Sequence, residues 1–245
     1  MTPPARVVWR FATVAAVVPE SPRACTLDLD VPGWPGHRAG QHVDVRLTAE
    51  DGYQAERSYS IASPPEAGRV QLTVEVVEDG EVSPYLAEEL RAGDTLELRG
   101  PIGGHFTWSV DEGGPLLLVA GGSGLVPLMA MLRHRAVHAS AVDTWLLVSA
   151  RSHEDLLYRD ELAALSPPAG LRVERTYTRS PPPGWTGWAR RVDAAMLSEL
   201  GAPLGARCFV CGPTPFVEGV SDLLLAAGHD FRHIHAERFG PTGGE

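Results

Sequence analysis

The sequence predicts two domains, an antiparallel β-barrel followed by a doubly wound α/β domain on a parallel sheet. The chain of 245 residues exceeds one average domain and suffices for two compact ones. Its first half breaks into short β-branched runs separated by Pro and Gly, whereas its second half alternates apolar strand-like runs with helical patterns. We place the boundary near residues 109–114 and expect domains of 1–110 and 111–245.

The barrel strands are predicted from β-branched runs that end at turn residues. They are Phe11–Val18, Thr26–Val31, His42–Leu47, Arg69–Val77 and Thr95–Arg99. One helix is expected at Ser83–Leu90, because Ser83 can cap its start and Pro84 suits the first helical position. The barrel therefore carries a single helical cap.

In the second domain a strand followed by a helix recurs four times. The predicted strands are Pro115–Ala120, Thr144–Ala150, Leu171–Tyr177 and Arg207–Val210. The predicted helices are Leu125–His138, Asp155–Leu165, Asp193–Leu200 and Pro215–Ala227. This alternation predicts a parallel sheet with ligand sites at the carboxyl ends of its strands.

Composition excludes several classes of protein. Hydrophobic residues make up 44% of the chain and the formal net charge is −10. Apolar runs stay short of the ~20 residues that cross a bilayer, so we expect no membrane span. The negative charge disfavours general binding to nucleic acid. Residues 1–10 show no secretory signal pattern, and we expect a cytoplasmic protein.

A glycine-rich turn follows the first strand of the α/β domain. Gly121, Gly122, Ser123 and Gly124 lead into a helix that has Pro127 in its first turn. Glycines let the backbone approach a pyrophosphate, and a helix N-terminus offers free N–H groups. The turn therefore predicts a nucleotide site, with an ordinary tight turn as the alternative.

Two further segments, both in the barrel, suit phosphate and a flat ring. In the extended segment 57–60, Arg57 and Tyr59 share one face and Ser60 points to the other. A guanidinium can pair with a phosphate and a phenol ring can stack on a heterocycle, although a surface Arg and a core Tyr is the plainer interpretation. A second glycine turn, made of Gly80, Glu81, Val82 and Ser83, precedes the predicted helix and is another candidate anion site.

Together and in this order, these motifs resemble the ferredoxin–NADP reductase superfamily over essentially the whole chain. The resemblance implies an FAD-binding barrel and an NAD(P)-binding α/β domain, with FAD and NADP (or NAD) as cofactors. It places Arg57 on the flavin phosphates, Tyr59 against the flavin ring or ribityl chain, and Ser60 near flavin N5. The turn at 80–83 would hold the FAD pyrophosphate, and the turn at 121–124 with Pro127 would hold the nicotinamide nucleotide.

The resemblance extends to the end of the chain. Cys211, Gly212 and Pro213 match a segment that lies beside the nicotinamide. Glu237 and Phe239 match an acidic residue and a terminal aromatic that covers the flavin in some relatives, with Glu237 orienting Ser60 or the carboxamide. Here residues 240–245 follow, so we expect Phe239 to be displaced from the ring, with packing against the sheet edge as the alternative. Ser60, Cys211 and Glu237 are thus the expected residues at the reacting rings.

The implied function is a reductase that passes electrons from NAD(P)H through FAD to a separate acceptor. Cys25, Cys208 and Cys211 are too few to hold an iron–sulfur cluster, so the acceptor is expected to be a separate ferredoxin, flavodoxin or oxygenase component. The alternatives are an NAD(P)H:free-flavin reductase and a non-catalytic docking or regulatory subunit with the same fold.

Arginines at the strand ends of the α/β domain bear on the choice of nucleotide. Arg151 ends the second strand, Arg179 follows the third, and Arg191 lies beyond a Pro-rich loop. Relatives that use NADPH place arginines at what look like these positions, so we favour NADPH. Solvated arginines, or recognition of an acidic acceptor, are the alternatives.

Two further groups of residues are of types that can carry out thiol redox chemistry or bind a metal. Cys208 and Cys211 have redox spacing, but the residues between them continue an apolar strand. The six histidines of the α/β domain have no carboxylate or thiolate at ligand spacing, and we expect no metal site. They are His134, His138, His153, His229, His233 and His235.

Overall fold

The computed structural model describes residues 7–165 and 170–240, and its strands form the two predicted kinds of sheet. The first sheet is antiparallel, with strands β1 (Trp9–Ser21), β2 (Ala24–Asp30), β3 (His42–Thr48), β4 (Gln54–Ser60), β5 (Val70–Glu75) and β6 (Thr95–Ile102). Their order is β4-β3-β6-β1-β2-β5. An isolated antiparallel bridge between Ile61 and Leu72 joins the two outer strands and closes the barrel.

Every second side chain along a barrel strand points inward, and these apolar side chains fill the barrel core. Val43 and Val45 on β3 are fully buried, while their neighbours on the strand remain partly exposed. The predicted helix is instead a short π-helical turn, Tyr85–Glu89, in which the Leu90 N–H donates to the carbonyl of Tyr85. Leu86 and Leu90 are fully buried in the barrel core, so this wider turn still caps the barrel.

The second sheet is parallel and has helices between its strands. Its strands are β7 (Leu116–Gly121), β8 (Thr144–Ser152), β9 (Leu171–Ser180), β10 (Arg207–Pro213) and β11 (Ile234–Phe239). Its helices are α1 (Leu125–Val137), α2 (Arg159–Ala164), α3 (Ala194–Leu200) and α4 (Thr214–Ala226). The order β11-β10-β7-β8-β9 reverses direction between β7 and β10. A doubly wound sheet binds ligands at that reversal.

Two elements of the α/β domain differ from the sequence prediction. Helix α2 begins only at Arg159, because Tyr158 before it has a left-handed backbone with φ of 52°. Strand β11 was not predicted, since its residues are only partly buried and carry little apolar pattern. β11 pairs with β10 at the edge of the sheet and brings the C-terminal motif to the carboxyl end of β10.

A group of side chains that we call the domain clasp, Arg133, Tyr158 and Glu161, joins the two domains. Arg133 on α1 donates to the carbonyl of Ala62 in the barrel and to the Glu161 carboxylate, both at 2.8 Å. Its guanidinium lies 4.8 Å from the centre of the Tyr158 ring. The buried Tyr158 hydroxyl in turn bonds to Thr73 on β5. The clasp therefore holds the barrel, at Ala62 and Thr73, against the α/β domain.

Candidate functional site

Residues from predicted motifs of both domains line one cleft of about 840 Å³ between the domains. The glycines of the turn at 121–124, Pro127, the segment 211–213 and Glu237 do not line it. From the barrel come Arg57, Tyr59, Ser60, Thr73 and the turn at 80–83, and from the α/β domain come Ser123, Val126, Arg238 and Phe239. Segments far apart in sequence thus meet where the parallel sheet reverses direction. This is the position at which a doubly wound domain binds its ligand.

β4 presents Arg57 and Tyr59 to the cleft from alternate positions. Tyr59 packs against the barrel core, and burial raises the pKa of its phenol, so the ring stays neutral. Arg57 is exposed, and its Nη2 donates to Glu81 Oε2 at 3.1 Å. The guanidinium that is predicted to bind a phosphate is therefore paired with the Glu81 carboxylate in this structure.

The turn at 80–83 has the geometry of an anion site. A Cβ on Gly80 would lie 2.9 Å from the Val77 carbonyl oxygen, so the turn requires glycine. The Val77 N–H donates to Ser83 Oγ at 3.0 Å and fixes the turn. Within the described residues, the backbone N–H groups of Glu81 and Val82 have no acceptor. Two free donors facing a cleft favour a phosphate ligand.

The turn at 121–124 is packed directly against the end of β10. A Cβ on Gly124 would lie 2.1 Å from the carbonyl oxygen of Cys211, so only glycine allows this approach. Gly122 has φ of 56°, which also favours glycine. Pro127 lies in the first turn of α1, where no backbone donor is lost. Ser123 of this turn and Val126 in the first turn of α1 line the cleft.

The end of β10 places Cys211, Gly212 and Pro213 beside that turn. Cys211 is fully buried, and burial together with the nearby Glu237 carboxylate raises the pKa of its thiol well above the usual range. Burial likewise raises the pKa of Cys208 to about 12. The two cysteines pack into different hydrophobic clusters, and neither forms a disulfide. Cys211 is therefore a neutral thiol on the cleft side of the sheet.

Two buried polar atoms near the cleft have no partner within the described residues, Ser60 Oγ and Glu237 Oε2. Strand pairing places Glu237 beside Cys211, and burial raises the pKa of its carboxyl to about 7. An unsatisfied buried polar group costs about 1–3 kcal/mol. A flavin ring with its N5 edge and a nicotinamide carboxamide offer the hydrogen-bonding groups that these two atoms lack, so the residues present fit the implied cofactors.

His42 is a site residue that sequence reasoning missed. It pairs with Ser60 across β3 and β4, and its Nδ1 lies 3.7 Å from Glu237 Oε1. Burial lowers the pKa of His42, against the opposing charge of Asp44. The hairpin register that puts His42 opposite Ser60 was the only signal available in the sequence.

Phe239 ends β11 and lines the cleft. It is half-buried, pairs with Pro213 and packs against the hydrophobic cluster that contains Cys211. Of the tail that was expected to displace it, residues 240–245, Gly240 lines the cleft and residues 241–245 lie outside the described residues. Packing at the sheet edge, the alternative raised from the sequence, agrees with this placement.

The three arginines proposed for nucleotide choice are all exposed. Arg151 and Arg179 lie near the carboxyl ends of the adjacent strands β8 and β9. Arg191 follows Arg190, whose carbonyl accepts from Thr176 on β9 at 2.5 Å. In the part of the chain that the structure describes, Arg151, Arg179 and Arg191 form no ion pair, whereas Arg190 pairs with Asp193. Their charges are thus available to an anion.

The fold also brings a carboxylate to two histidines. Glu66 of the barrel accepts from His134 Nδ1 and His138 Nε2, each at 2.8 Å. The Val110 N–H donates to His134 Nε2, which places the ring proton on Nδ1. In this arrangement His134 Nδ1 is a donor and has no lone pair for a metal. No local sequence pattern indicated this contact, because Glu66 belongs to the other domain.

Comparisons with known proteins match one family model in each half of the chain. The model of the oxidoreductase FAD-binding domain matches residues 15–108, and that of the oxidoreductase NAD-binding domain matches residues 118–222. Ferredoxin–NADP reductase B of Sorangium cellulosum is 38% identical over 210 residues, covering 82% of this chain and 84% of the relative. A model match in each domain and this relative show the family.

A second relative is longer than this chain. The glycine betaine monooxygenase reductase subunit of Chromohalobacter salexigens is 35% identical over 213 residues, which cover 84% of this chain but only 56% of the relative. Among solved structures, the FAD/NAD-binding domain of a nitric oxide dioxygenase from Vibrio cholerae superposes with a TM-score of 0.84 at 25% identity, covering 95% of this chain and 99% of that one. In the described part of the chain, we find no helix that could span a membrane.

The pKa of Glu237 leads to a prediction about stability. Folding raises this pKa from 4.5 to about 7, so ionisation opposes folding. The free energy of unfolding of the wild type, relative to Glu237→Gln, should therefore fall as the pH rises from about 5 to about 8, by at most about 3 kcal/mol. Urea unfolding across this range, with exposed Glu78→Gln as control, measures the effect. A difference that stays constant with pH would contradict the assignment.

Proposed function

The chain belongs to the family of oxidoreductases that join an FAD-binding domain to an NAD-binding domain, and from this premise we propose that it oxidises NAD(P)H and passes the electrons through FAD to a separate acceptor. One observation carries the proposal. The flavin motifs of the barrel line the same cleft as Ser123 of the nucleotide turn and Phe239 of the C-terminal motif. Within the described residues, the buried atoms Ser60 Oγ and Glu237 Oε2 have no partner.

FAD, when bound, would accept a hydride from NAD(P)H and release the electrons onward. Arg57 and the free N–H groups of the turn at 80–83 would hold its phosphates, since a guanidinium and backbone donors both recognise phosphate oxygens. Arg57 must first leave Glu81, and a doubly charged pyrophosphate is a stronger partner than one carboxylate. Tyr59 would pack against the ring or ribityl chain, and Ser60 Oγ would bond near N5.

The parallel-sheet side would hold the nicotinamide nucleotide. The turn at 121–124 and the start of α1 would receive its pyrophosphate, and Cys211, Gly212 and Pro213 would lie beside its ring. Because Cys211 is neutral and buried, it excludes water without introducing charge. Hydride transfer needs the two reacting atoms about 3–3.5 Å apart, and positioning of this kind is the main catalytic contribution of the chain.

Glu237 would act as a positioning residue between the two ring sites. The expectation that Glu237 orients Ser60 is not met by a direct bond, because Oε2 and Ser60 Oγ both lack a partner within the described residues. Oε2 would therefore bond to the carboxamide, while Oε1 lies 3.7 Å from His42 Nδ1. With a pKa of about 7, the carboxyl gains and loses a proton near neutral pH. Phe239 would border the flavin from the cleft wall.

The acceptor is proposed from chemistry and from the relatives. The three cysteines are free and buried, so we propose that the electrons pass to a separate acceptor rather than to a cluster held by these thiols. A ferredoxin, a flavodoxin or an oxygenase component would serve, and the relatives named above are reductases of ferredoxin and of a monooxygenase. Free, reduced thiols suit the cytoplasm, which is the location we propose. Reduction of free flavin is the less favoured alternative, as is a non-catalytic docking subunit.

The first prediction tests this function. Purified protein should carry FAD that NAD(P)H bleaches under anaerobic conditions, and Arg57→Ala should bind much less FAD because about 1.5–3 kcal/mol of charge-assisted bonding is lost. Flavin content is measured by absorbance after heat release. Arg69→Ala, which removes an exposed ion pair of the barrel, is the control. Protein that binds FAD but is never reduced by NAD(P)H would favour the docking subunit.

A second prediction concerns the nucleotide, for which we propose NADPH. Arg179→Ala and Arg191→Ala should each weaken kcat/KM for NADPH by roughly tenfold or more, since each removes a charged contact to the 2′-phosphate, and should leave NADH nearly unchanged. Arg172→Ala is the matched control, because Arg172 is already paired with Glu174. Equal losses for both nucleotides, or a wild-type preference for NADH, would overturn the choice of NADPH.

A further inference from the structure

A series of hydrogen bonds leads from the cleft across the barrel sheet. Thr73 on β5 lines the cleft, and its Oγ1 lies 2.7 Å from Thr26 Oγ1 on β2. Thr26 Oγ1 donates to Glu20 Oε1 on β1 at 2.6 Å. The strands β1, β2 and β5 are neighbours in the sheet, so the bonds cross three strands in succession. We call Thr73, Thr26 and Glu20 the hydroxyl chain.

The two threonines of the hydroxyl chain are shielded from solvent, whereas the glutamate is not. Thr26 and Thr73 are paired across β2 and β5, and each is only 5% exposed. They alternate along these strands with residues of the barrel core, so they point away from that core and toward the α/β domain, from which Tyr158 bonds to Thr73. Glu20 is partly exposed near the end of β1. The hydroxyl chain therefore connects the cleft to the protein surface.

The number of protons fixes the direction of these bonds, because each hydroxyl has only one proton to donate. Thr26 uses its proton on the Glu20 carboxylate, so it must accept from Thr73. Thr73 must then accept from the hydroxyl of Tyr158. Burial raises the pKa of Tyr158, so the phenol keeps the proton that it donates. All these O–H bonds point toward Glu20.

Thr73 can accept one more hydrogen bond. Its Oγ1 has two lone pairs, and within the described residues only the Tyr158 hydroxyl donates to it. Since Thr73 lines the cleft, the second lone pair is available to a donor that is bound there. A proton that arrives at Thr73 would find the next two donors already oriented toward the surface.

The proposed reaction leaves a proton in the cleft. A hydride carries one proton and two electrons, and the electrons move on to the acceptor without the proton. The N–H bond that the hydride forms on the flavin has to break again, and its proton has to reach solvent once in every turnover. Oriented hydroxyl groups that end at a carboxylate can transfer such a proton.

We propose that the hydroxyl chain is a relay that carries this proton from the cleft to Glu20. The inference rests on the proposed function, because it requires a flavin in the cleft. The incoming proton binds Thr73 Oγ1 while Thr73 passes its own proton to Thr26, and Thr26 passes its proton to Glu20. Each threonine gains one O–H bond and loses one, so both stay neutral hydroxyls. Glu20 becomes a neutral carboxyl and then releases the proton to water.

The test follows proton release while the flavin is reoxidised. The FAD-loaded protein is reduced at an electrode, without NAD(P)H, and mixed with ferricyanide and a pH-indicator dye in weak buffer. Thr73→Val and Thr26→Val remove a hydroxyl while keeping the branched shape, and each should slow proton release at least about tenfold. Thr73→Ser keeps the hydroxyl and should retain most of the wild-type rate. Infrared spectra during reoxidation should show a transient protonated carboxyl that Glu20→Gln lacks.

Thr13→Val, on the exposed part of β1, is the matched control and should release the proton as wild type does. Unchanged release in Thr26→Val would overturn the relay, and this variant also decides the matter if Thr73→Val binds no FAD, because Thr26 does not line the cleft. An equally large loss of FAD affinity in Thr26→Val would show a structural role and would also overturn it.

The relay and the proposed function fail in different ways. Wild-type protein that binds no FAD, or whose FAD is never bleached by NAD(P)H, would overturn the proposed function and the relay with it. Protein that NAD(P)H bleaches normally, but in which neither threonine variant slows proton release, would overturn the relay alone.

Discussion

The contact between the two domains is the constraint on which the site depends. Neither domain contains all the residues of the candidate site. The barrel supplies one set of candidate cofactor-binding residues, and the α/β domain supplies the other. Arg133 spans the boundary by bonding to the Ala62 carbonyl while its charge is satisfied by Glu161 and the Tyr158 ring. A half-buried guanidinium with these partners is costly to separate, so the clasp fixes the width of the cleft.

Close packing inside the α/β domain determines how the nucleotide turn, the end of β10 and Glu237 are placed relative to one another. The carbonyl of Cys211 lies where any side chain on Gly124 would collide with it, and this contact joins the nucleotide turn to the end of β10. Pairing of β10 with β11 then carries Glu237 to the same edge. The result is a buried carboxyl and a buried hydroxyl, Ser60, that the protein leaves unsatisfied. Such atoms are tolerated where a ligand completes them, and here they lie where the two proposed ring sites would meet.

Local sequence patterns were enough to predict both domains and the motifs of the cleft. The glycine turns could be recognised because a tight turn and a helix start are encoded by neighbouring residues. The turn at 80–83 and Ser123 of the turn at 121–124 line the same cavity. What sequence could not provide is long-range register. His42 reaches Ser60 and Glu237 only through strand pairing, and Glu66 reaches His134 only across the domain boundary. Neither β11 nor the π-helical form of the turn at Tyr85–Glu89 was predicted, because tertiary packing determines both.

The claim that the clasp sets the distance between the two ring sites can be tested in a single experiment. Arg133→Leu, loaded with FAD to the wild-type level, is mixed anaerobically with NAD(P)H, and the bleaching of the flavin is followed by stopped flow. A cleft that widens by even about 1 Å should slow hydride transfer by roughly tenfold to a hundredfold, while Arg69→Ala should reduce at the wild-type rate. Reduction of the Arg133→Leu protein at the wild-type rate would contradict the account.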